Sequence, residues 1–208
     1  MVIERVDRFV HKGHGAGPRR RYHAAMRLLN LHADTACPAV ARLEADVTRP
    51  RSGLLALRYV VTGTMRDVSL PPLAEPNRAD GLWRRTCFEA FVRPGPGEAY
   101  YEFNFSPSTE WAAYRFDGYR QGMRPAEGLD APRIEPIATD QGFELRVSLD
   151  LDQVPGLAKA GAWRLGLSAV IEDAAGGISY WALAHPPGKA DFHHADGFAL
   201  DLPAPGAP

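Results

Sequence analysis

Residues 143–151 read FELRVSLDL, an unbroken alternation of apolar and polar side chains. In an extended chain Phe143, Leu145, Val147, Leu149 and Leu151 point one way, and Glu144, Arg146, Ser148 and Asp150 point the other. A two-residue period held over that length is the mark of a half-buried antiparallel strand. The period recurs in RLEADVT, through Leu43, Ala45 and Val47, and the turn cluster RPRSG separates it from LLALRYVVTG. WRLGLSAVIE and ISYWALAH read as a hairpin around DAAGG, and GFALDL closes the pattern. From 83 to 116 the chain reads as a meander with turns at RPGPGE and SPSTE. The stretch MRDVSLPPLAEPNRADG carries three prolines and reads as a loop, and only QVPGLAKAG could hold a helical turn. About nine or ten short strands at regular spacing predict an all-β fold, an antiparallel, jelly-roll-like β-sandwich.

The chain has 208 residues, the size of one domain. The expected domain runs from 26 to 203. Residues 1–25, with HKGHGAGPRRRYHAAM, are basic, Gly/Pro-broken and aperiodic, and are expected to be a disordered extension. Met26 opens MRLLNLHADT, which reads as a natural start, so the extension need not be translated. Residues 204–208 are expected to be a frayed tail. GHGAG follows no strand and opens no helix, which excludes a phosphate-binding loop. A net charge of −1 gives no electrostatic reason to seek nucleic acid or an anionic membrane, and no run approaches the ~20 apolar residues that span a bilayer. Cys37 and Cys87 form no CxxC motif, and no secretory signal is legible, so two reduced, buried thiols in a cytoplasmic protein are expected.

Strand alternation predicts a ligand face. With RPGPGE as a hairpin loop, one consistent register sets Phe91 opposite Tyr100, Glu89 opposite Glu102 and Cys87 opposite Asn104. Phe88, Ala90, Val92, Tyr101, Phe103 and Phe105 then form the core face. Trp83, Arg85, Glu89, Tyr100, Glu102 and Asn104 share the other face with Cys87 and Phe91, mixing rings with charges. Extended through SPST, the register adds Tyr114 and Phe116 to the core, and Trp111, Ala113 and Arg115 to the mixed face. Arg115 falls opposite Glu102, giving a row Glu89, Glu102, Arg115. A slip of two would break this row and keep the faces. Aromatic rings beside paired polar groups suit a sugar, whose C–H faces stack and whose hydroxyls bond.

Two chemistries are weighed against simple binding. Opposed Glu89 and Glu102 would have Cβ atoms ~4.5–5.5 Å apart, near the ~5–5.5 Å carboxyl spacing of retaining glycosidases. Arg115 beside them would hold both ionised, however, and a general acid needs a raised pKa. Around Ser168, GLSAV lacks the second glycine of a nucleophile elbow and lies within a strand pattern. In HPPGKADFHH, Asp191 and His193 share one face of an extended chain and His194 takes the other, too few convergent ligands for zinc. That loop, through His185, Lys189 and His193, is expected to rim the pocket.

LWRRTCFEAFV, YYEFNFSPSTEWAAYRFDGYR, LGLSAVIED and SYWALAHPPGKADFHHADGFAL resemble the bacterial DOMON-like proteins. That group is similar to the family 9 carbohydrate-binding modules and to the haem-binding subunits of ethylbenzene-type dehydrogenases. The resemblance spans 26 to 202 and implies a β-sandwich with a pocket on one face. In the carbohydrate-binding modules a Trp and a Glu six residues later contact the sugar. Trp83 and Glu89 match that spacing, and Trp181 is the nearest match to a second, C-terminal Trp. The haem relatives use axial Met with Lys or His, which would implicate Met123 with His193 or Lys189. With no CxxCH motif, such a haem would be non-covalent. The reading is a non-catalytic domain that binds a small molecule, first of all a sugar or glycoconjugate. The alternatives are a haem or redox domain and a structural module for a protein partner.

Overall fold

The computed structural model describes residues 25–157 and 161–206. The predicted basic extension up to residue 24 and the last two residues of the tail lie outside them.

Sheet A comprises β1 (Arg27–Leu28), β3 (Val40–Arg51), β4 (Leu54–Gly63), β9 (Arg133–Thr139) and β10 (Gly142–Asp150), in the order β1-β3-β4-β10-β9. Sheet B comprises β2 (Asn30–Leu31), β5 (Cys87–Pro94), β6 (Tyr100–Phe105), β7 (Trp111–Phe116), β8 (Arg124–Pro125), β11 (Trp163–Glu172) and β12 (Ile178–Ala182), in the order β2-β12-β11-β5-β6-β7-β8. A further strand, β13 (Leu200–Leu202), pairs with the start of β11. Among the described residues there are thirteen strands where nine or ten are expected, because β1, β2 and β8 hold two residues each and carry no legible period. The strand pairings are antiparallel. Among the described residues the helical elements are three short 3-10 turns, and QVPGLAKAG forms turns over its described part.

The two sheets bury one core between them. Leu43, Ala45 and Val47 of β3, Leu55 and Leu57 of β4, and Leu145 and Leu149 of β10 enter it from sheet A. Phe88, Phe103, Leu165 and Ala169 enter it from sheet B. The strict alternation of β10 follows from its place: its inner face is core, and its outer face carries the salt-bridged Glu144 and Arg146. The strands β5 and β6 behave differently. All six residues of β6 and the first six of β5 are buried, because sheet B is covered on both faces. Its outer face holds a second apolar cluster of Phe91, Tyr100, Ala112, Tyr114, Phe116 and Phe198. Cys37 and Cys87 are buried and unpaired. No helix among the described residues is long and apolar enough to cross a membrane.

Candidate functional site

Two hairpins decide which side chains reach the outer face of sheet B. Between β5 and β6, Phe91 pairs with Glu102 and Glu89 with Asn104. This is two residues from the expected register, so Glu89 and Glu102 become diagonal neighbours and the faces survive. Between β6 and β7 the slip is one residue: Phe105 pairs with Trp111, and Tyr101 with Arg115. Thr109 causes it by adopting φ +80°, the left-handed conformation usually left to glycine. Its N–H donates to the Ser106 carbonyl at 3.0 Å, while Ser106 N–H donates to the Glu110 carbonyl at 2.9 Å. The result is a three-residue loop with a bulge.

That odd slip inverts β7. Tyr114 and Phe116 move to the outer face, correcting their expected place in the core. Trp111 and Ala113 turn into the core instead, with the Arg78 guanidinium 4.6 Å from the Trp111 ring centroid. Arg115 lies beside Tyr101 on that other side, 3.8 Å from Asp117. The row Glu89, Glu102, Arg115 does not form, and neither Trp111 nor Arg115 reaches the ligand face.

The outer face holds a cavity of about 400 Å³. Its floor is Glu89 and Phe91 from β5, Glu102 from β6 and Phe116 from β7. Val170 and Tyr180 close one side, and Trp83, Arg120 and Met123 form the rim. Ala190, Phe192 and His193 line it from the loop after β12, with the Phe192 ring edge-on to Tyr180 at 6.0 Å between centroids. Trp83 arrives from a 3-10 turn, Leu82–Arg84, rather than from a strand, and stands edge-on to Tyr114 at 6.0 Å between ring centroids. Gly81, at φ +77°, makes the entry into that turn. Arg85, just beyond it, leaves the face, exposed and 3.9 Å from Glu172. Tyr180 takes the place expected of Trp181. Pairing of Glu172 with Ile178 sets Tyr180 opposite Val170 and turns Trp181 inward, where its Nε1 donates to Ser179 Oγ at 3.0 Å.

The HPPGKADFHH loop does form the wall, through residues other than most of those expected. Asp34 N–H donates to His32 Nδ1 at 3.2 Å, so the His32 proton sits on Nε2 and is donated to the Gly188 carbonyl at 3.0 Å. His185 Nε2 donates to the Asn30 carbonyl at 2.8 Å. These two bonds pin the loop to the edge at β2. His185 is thus a strut behind the pocket, and Lys189 points away into solvent. His194 Nδ1 accepts from Asp196 N–H at 3.3 Å and caps the last 3-10 turn. No group of three or more His, Cys, Asp or Glu converges to hold a metal among the described residues.

The floor is electrostatically unusual. Glu89 is 2% exposed, and Ser168 Oγ donates to its Oε2 at 3.4 Å. Asn104 Nδ2 donates to Glu102 Oε1 at 2.8 Å. Burial, then repulsion from Glu102, pushes the Glu89 carboxyl well above the usual range. Burial also raises Glu102, against the pull of Asn104 and Arg120. His193 Nε2 lies 3.7 Å from Glu102 Oε2, yet burial, aided by the Arg120 charge, lowers the imidazole to about 4, so it is neutral at pH 7. Tyr100 OH accepts from Arg120 N–H at 3.2 Å and is hydrogen-bonded to His193 Nδ1 at 2.9 Å, while His193 Nε2 faces Glu102. Arg120 itself is bound to Asp191 at 2.7 Å, and Tyr119 OH donates to the same carboxylate. Two adjacent buried carboxyls without a contacting cation favour holding a proton between them, able to donate and accept hydrogen bonds at once.

Phe116, Arg120, Val170, Tyr180, Ala190 and Phe192 line the pocket without having been expected from the sequence. An odd-length β6–β7 loop would have revealed Phe116, and counting back from the DAAGG turn would have chosen Tyr180 over Trp181. Nothing local marks Arg120 or Phe192, which lie in loops.

No family model matches the chain, and no curated protein matches it. Solved structures do. A candidate carbohydrate-binding protein from Bacteroides uniformis ATCC 8492 superposes with a TM-score of 0.61 at 13% identity, covering 87% of this chain and 86% of that one. A family 9 carbohydrate-binding module from Caldicellulosiruptor kristjanssonii in complex with glucose gives 0.53 at 10% identity, covering 96% and 94%. Its complex with cellotriose gives 0.52 at 10%, covering 89% and 84%. At these identities the likeness is one of fold.

Proposed function

We propose that this chain is a non-catalytic, sugar-binding β-sandwich domain whose ligand sits over Glu89 and Glu102. One observation carries the reading: a single cavity of about 400 Å³ joins two buried carboxyls to a wall of aromatic rings, with Trp83 at its mouth. That volume lies in the range of small-molecule sites, about 300–1,000 Å³, and the composition suits a pyranose. Carboxyl oxygens bond hydroxyls in pairs, and Trp83 offers a face for the C–H side of the ring. The family 9 modules bound to glucose and cellotriose, which share the fold, support the choice of ligand class.

Titration calorimetry with glucose and cellotriose tests the reading. Trp83→Ala and Glu89→Ala should each weaken binding by about tenfold or more, the equivalent of one lost contact of ~1.4 kcal/mol. Unchanged binding in both variants overturns the site. Release of a chromophore from aryl glycosides by the intact chain would overturn the non-catalytic part.

Met123 and His193, two of the three residues named for a haem, do line the cavity, but the donor groups there are a poor match for an iron. His193 Nδ1 is already bonded to the Tyr100 hydroxyl and its Nε2 turns toward Glu102, and Lys189 lies outside the pocket. Haem propionates would also face two buried carboxyls, with Arg120 already bound to Asp191. Haemin added to the protein should give no protein-bound Soret shift.

A further inference from the structure

We infer that the ligand presents a protonated amine to Glu89 and Glu102, so that the sugar class this pocket takes is a hexosamine with its amine free. The inference rests on the sugar-binding reading and narrows it.

The argument begins with charge. Glu89 and Glu102 come from neighbouring strands, lie diagonally across the ladder and both line the cavity. Glu89 is 2% exposed and Glu102 6%. Ser168 at 3.4 Å is the one side-chain donor to Glu89 among the described residues, and Asn104 is the one to Glu102 within hydrogen-bond range. Neither donor is charged. Arg120 is the single Lys or Arg lining the cavity among the described residues, and its guanidinium is committed to Asp191 at 2.7 Å. His193, the remaining basic group, is held neutral by burial. The floor therefore holds two buried carboxyls with no cation in contact among the described residues, and any negative charge on them must be met by the ligand, by a proton or, for Glu102, in part by the field of Arg120.

The walls say what kind of cation fits. A hard divalent ion such as calcium takes six to eight oxygen ligands. The cavity supplies two carboxyls and then rings: Phe91, Phe116, Tyr180 and Phe192. Aromatic faces attract an organic ammonium through their quadrupoles, most strongly where water is excluded. An ammonium between Glu89 and Glu102 would also relieve the repulsion from Glu102 that, after burial, raises the proton affinity of Glu89. A neutral hexose does none of this, and N-acetylation removes the charge that does it.

The test is calorimetry on the full chain with glucosamine, N-acetylglucosamine and glucose, below the pKa of the amine. Glucosamine should bind about tenfold or more tightly than either neutral sugar, a gap of ~1.4 kcal/mol. Glu102→Gln keeps the shape and the Asn104 bond, and should bring that ratio close to one. Circular dichroism of the variant establishes that it is folded, and Glu89→Gln provides an independent second variant. Equal binding of glucose and glucosamine overturns the inference and leaves sugar binding standing. Preference for N-acetylglucosamine does the same. Binding of tetramethylammonium with no binding of any sugar supports the cation site and overturns the sugar reading. Silence toward all of them overturns both.

Discussion

Glu144 on sheet A and Glu89 on sheet B are both strand glutamates, 5% and 2% exposed, and their surroundings are opposite. Glu144 lies on the outer face of β10, where Arg58 Nη2 sits 2.6 Å from it and Arg146 Nε donates to its other oxygen. Those guanidiniums, Arg58 foremost, hold its carboxyl below the usual range. Glu89 has no guanidinium to offset its burial, only a distant hydroxyl and a second carboxyl, so burial and then repulsion from Glu102 raise its proton affinity. The first arrangement is one a fold makes for its own stability. The second costs stability and persists where a ligand can complete it.

The contrast can be broken from either side. The largest effect should come from stripping Glu144 of both partners. Arg58→Ala with Arg146→Ala leaves a buried carboxylate unpaired and should lower stability by about 2 kcal/mol in urea unfolding. Next, Glu89→Gln should raise stability by ~1 kcal/mol at neutral pH, because it removes a mismatch rather than a bond. The same variant should lose ligand, so that the two readouts move in opposite directions.

The pH dependence sharpens the contrast further. Glu89 and Glu102 are raised on folding, so the folded state holds extra protons. Their contribution is present below the ordinary carboxylate range and is lost as pH rises through their folded values. Glu144 is lowered, and its contribution is present above the ordinary range and is lost as pH falls through its folded value. His193 acts in the same direction as Glu144: moved from its ordinary 6.5 to about 4, it costs stability as pH drops through that window. Thermal midpoints against pH should therefore lose part of their alkaline decline in Glu89→Gln and part of their acid decline in Glu144→Gln. The smallest effect belongs to Ser168→Ala. Its 3.4 Å contact to Glu89 is long, and removal should change stability by ~0.5 kcal/mol or less. A loss several times larger would mean that Glu89 is ionised and held there by the hydroxyl.

Legibility in the sequence followed solvent. Where one face of a strand meets water, as in β10, the alternation named the core side chains from Phe143 to Leu151 correctly. Where both faces are covered, as in β6, composition still separated Tyr101, Phe103 and Phe105 from Tyr100, Glu102 and Asn104. What composition could not do was measure loops. The even slip between β5 and β6 moved Glu89 from beside Glu102 to its diagonal without cost to the face assignment. The odd slip between β6 and β7 exchanged Trp111 and Arg115 for Tyr114 and Phe116. One threonine at φ +80° separates the two outcomes, and nothing in SPSTE announces it.

The fold class, the two alternating faces of β5 and β6, and the place of Glu89 and Glu102 on the less apolar face could all be read from the residues alone, because a period of two is a local property of an extended chain. The assembled fold set which rings surround those carboxyls and left them, among the described residues, without a cation in contact. Trp83 comes from a turn, Tyr180 from a hairpin count, and Phe192 and His193 from a loop that His32 and His185 tether to a strand more than 150 residues away in sequence. Such contacts depend on loop length and backbone handedness summed over the whole chain, and no short stretch of residues carries that sum.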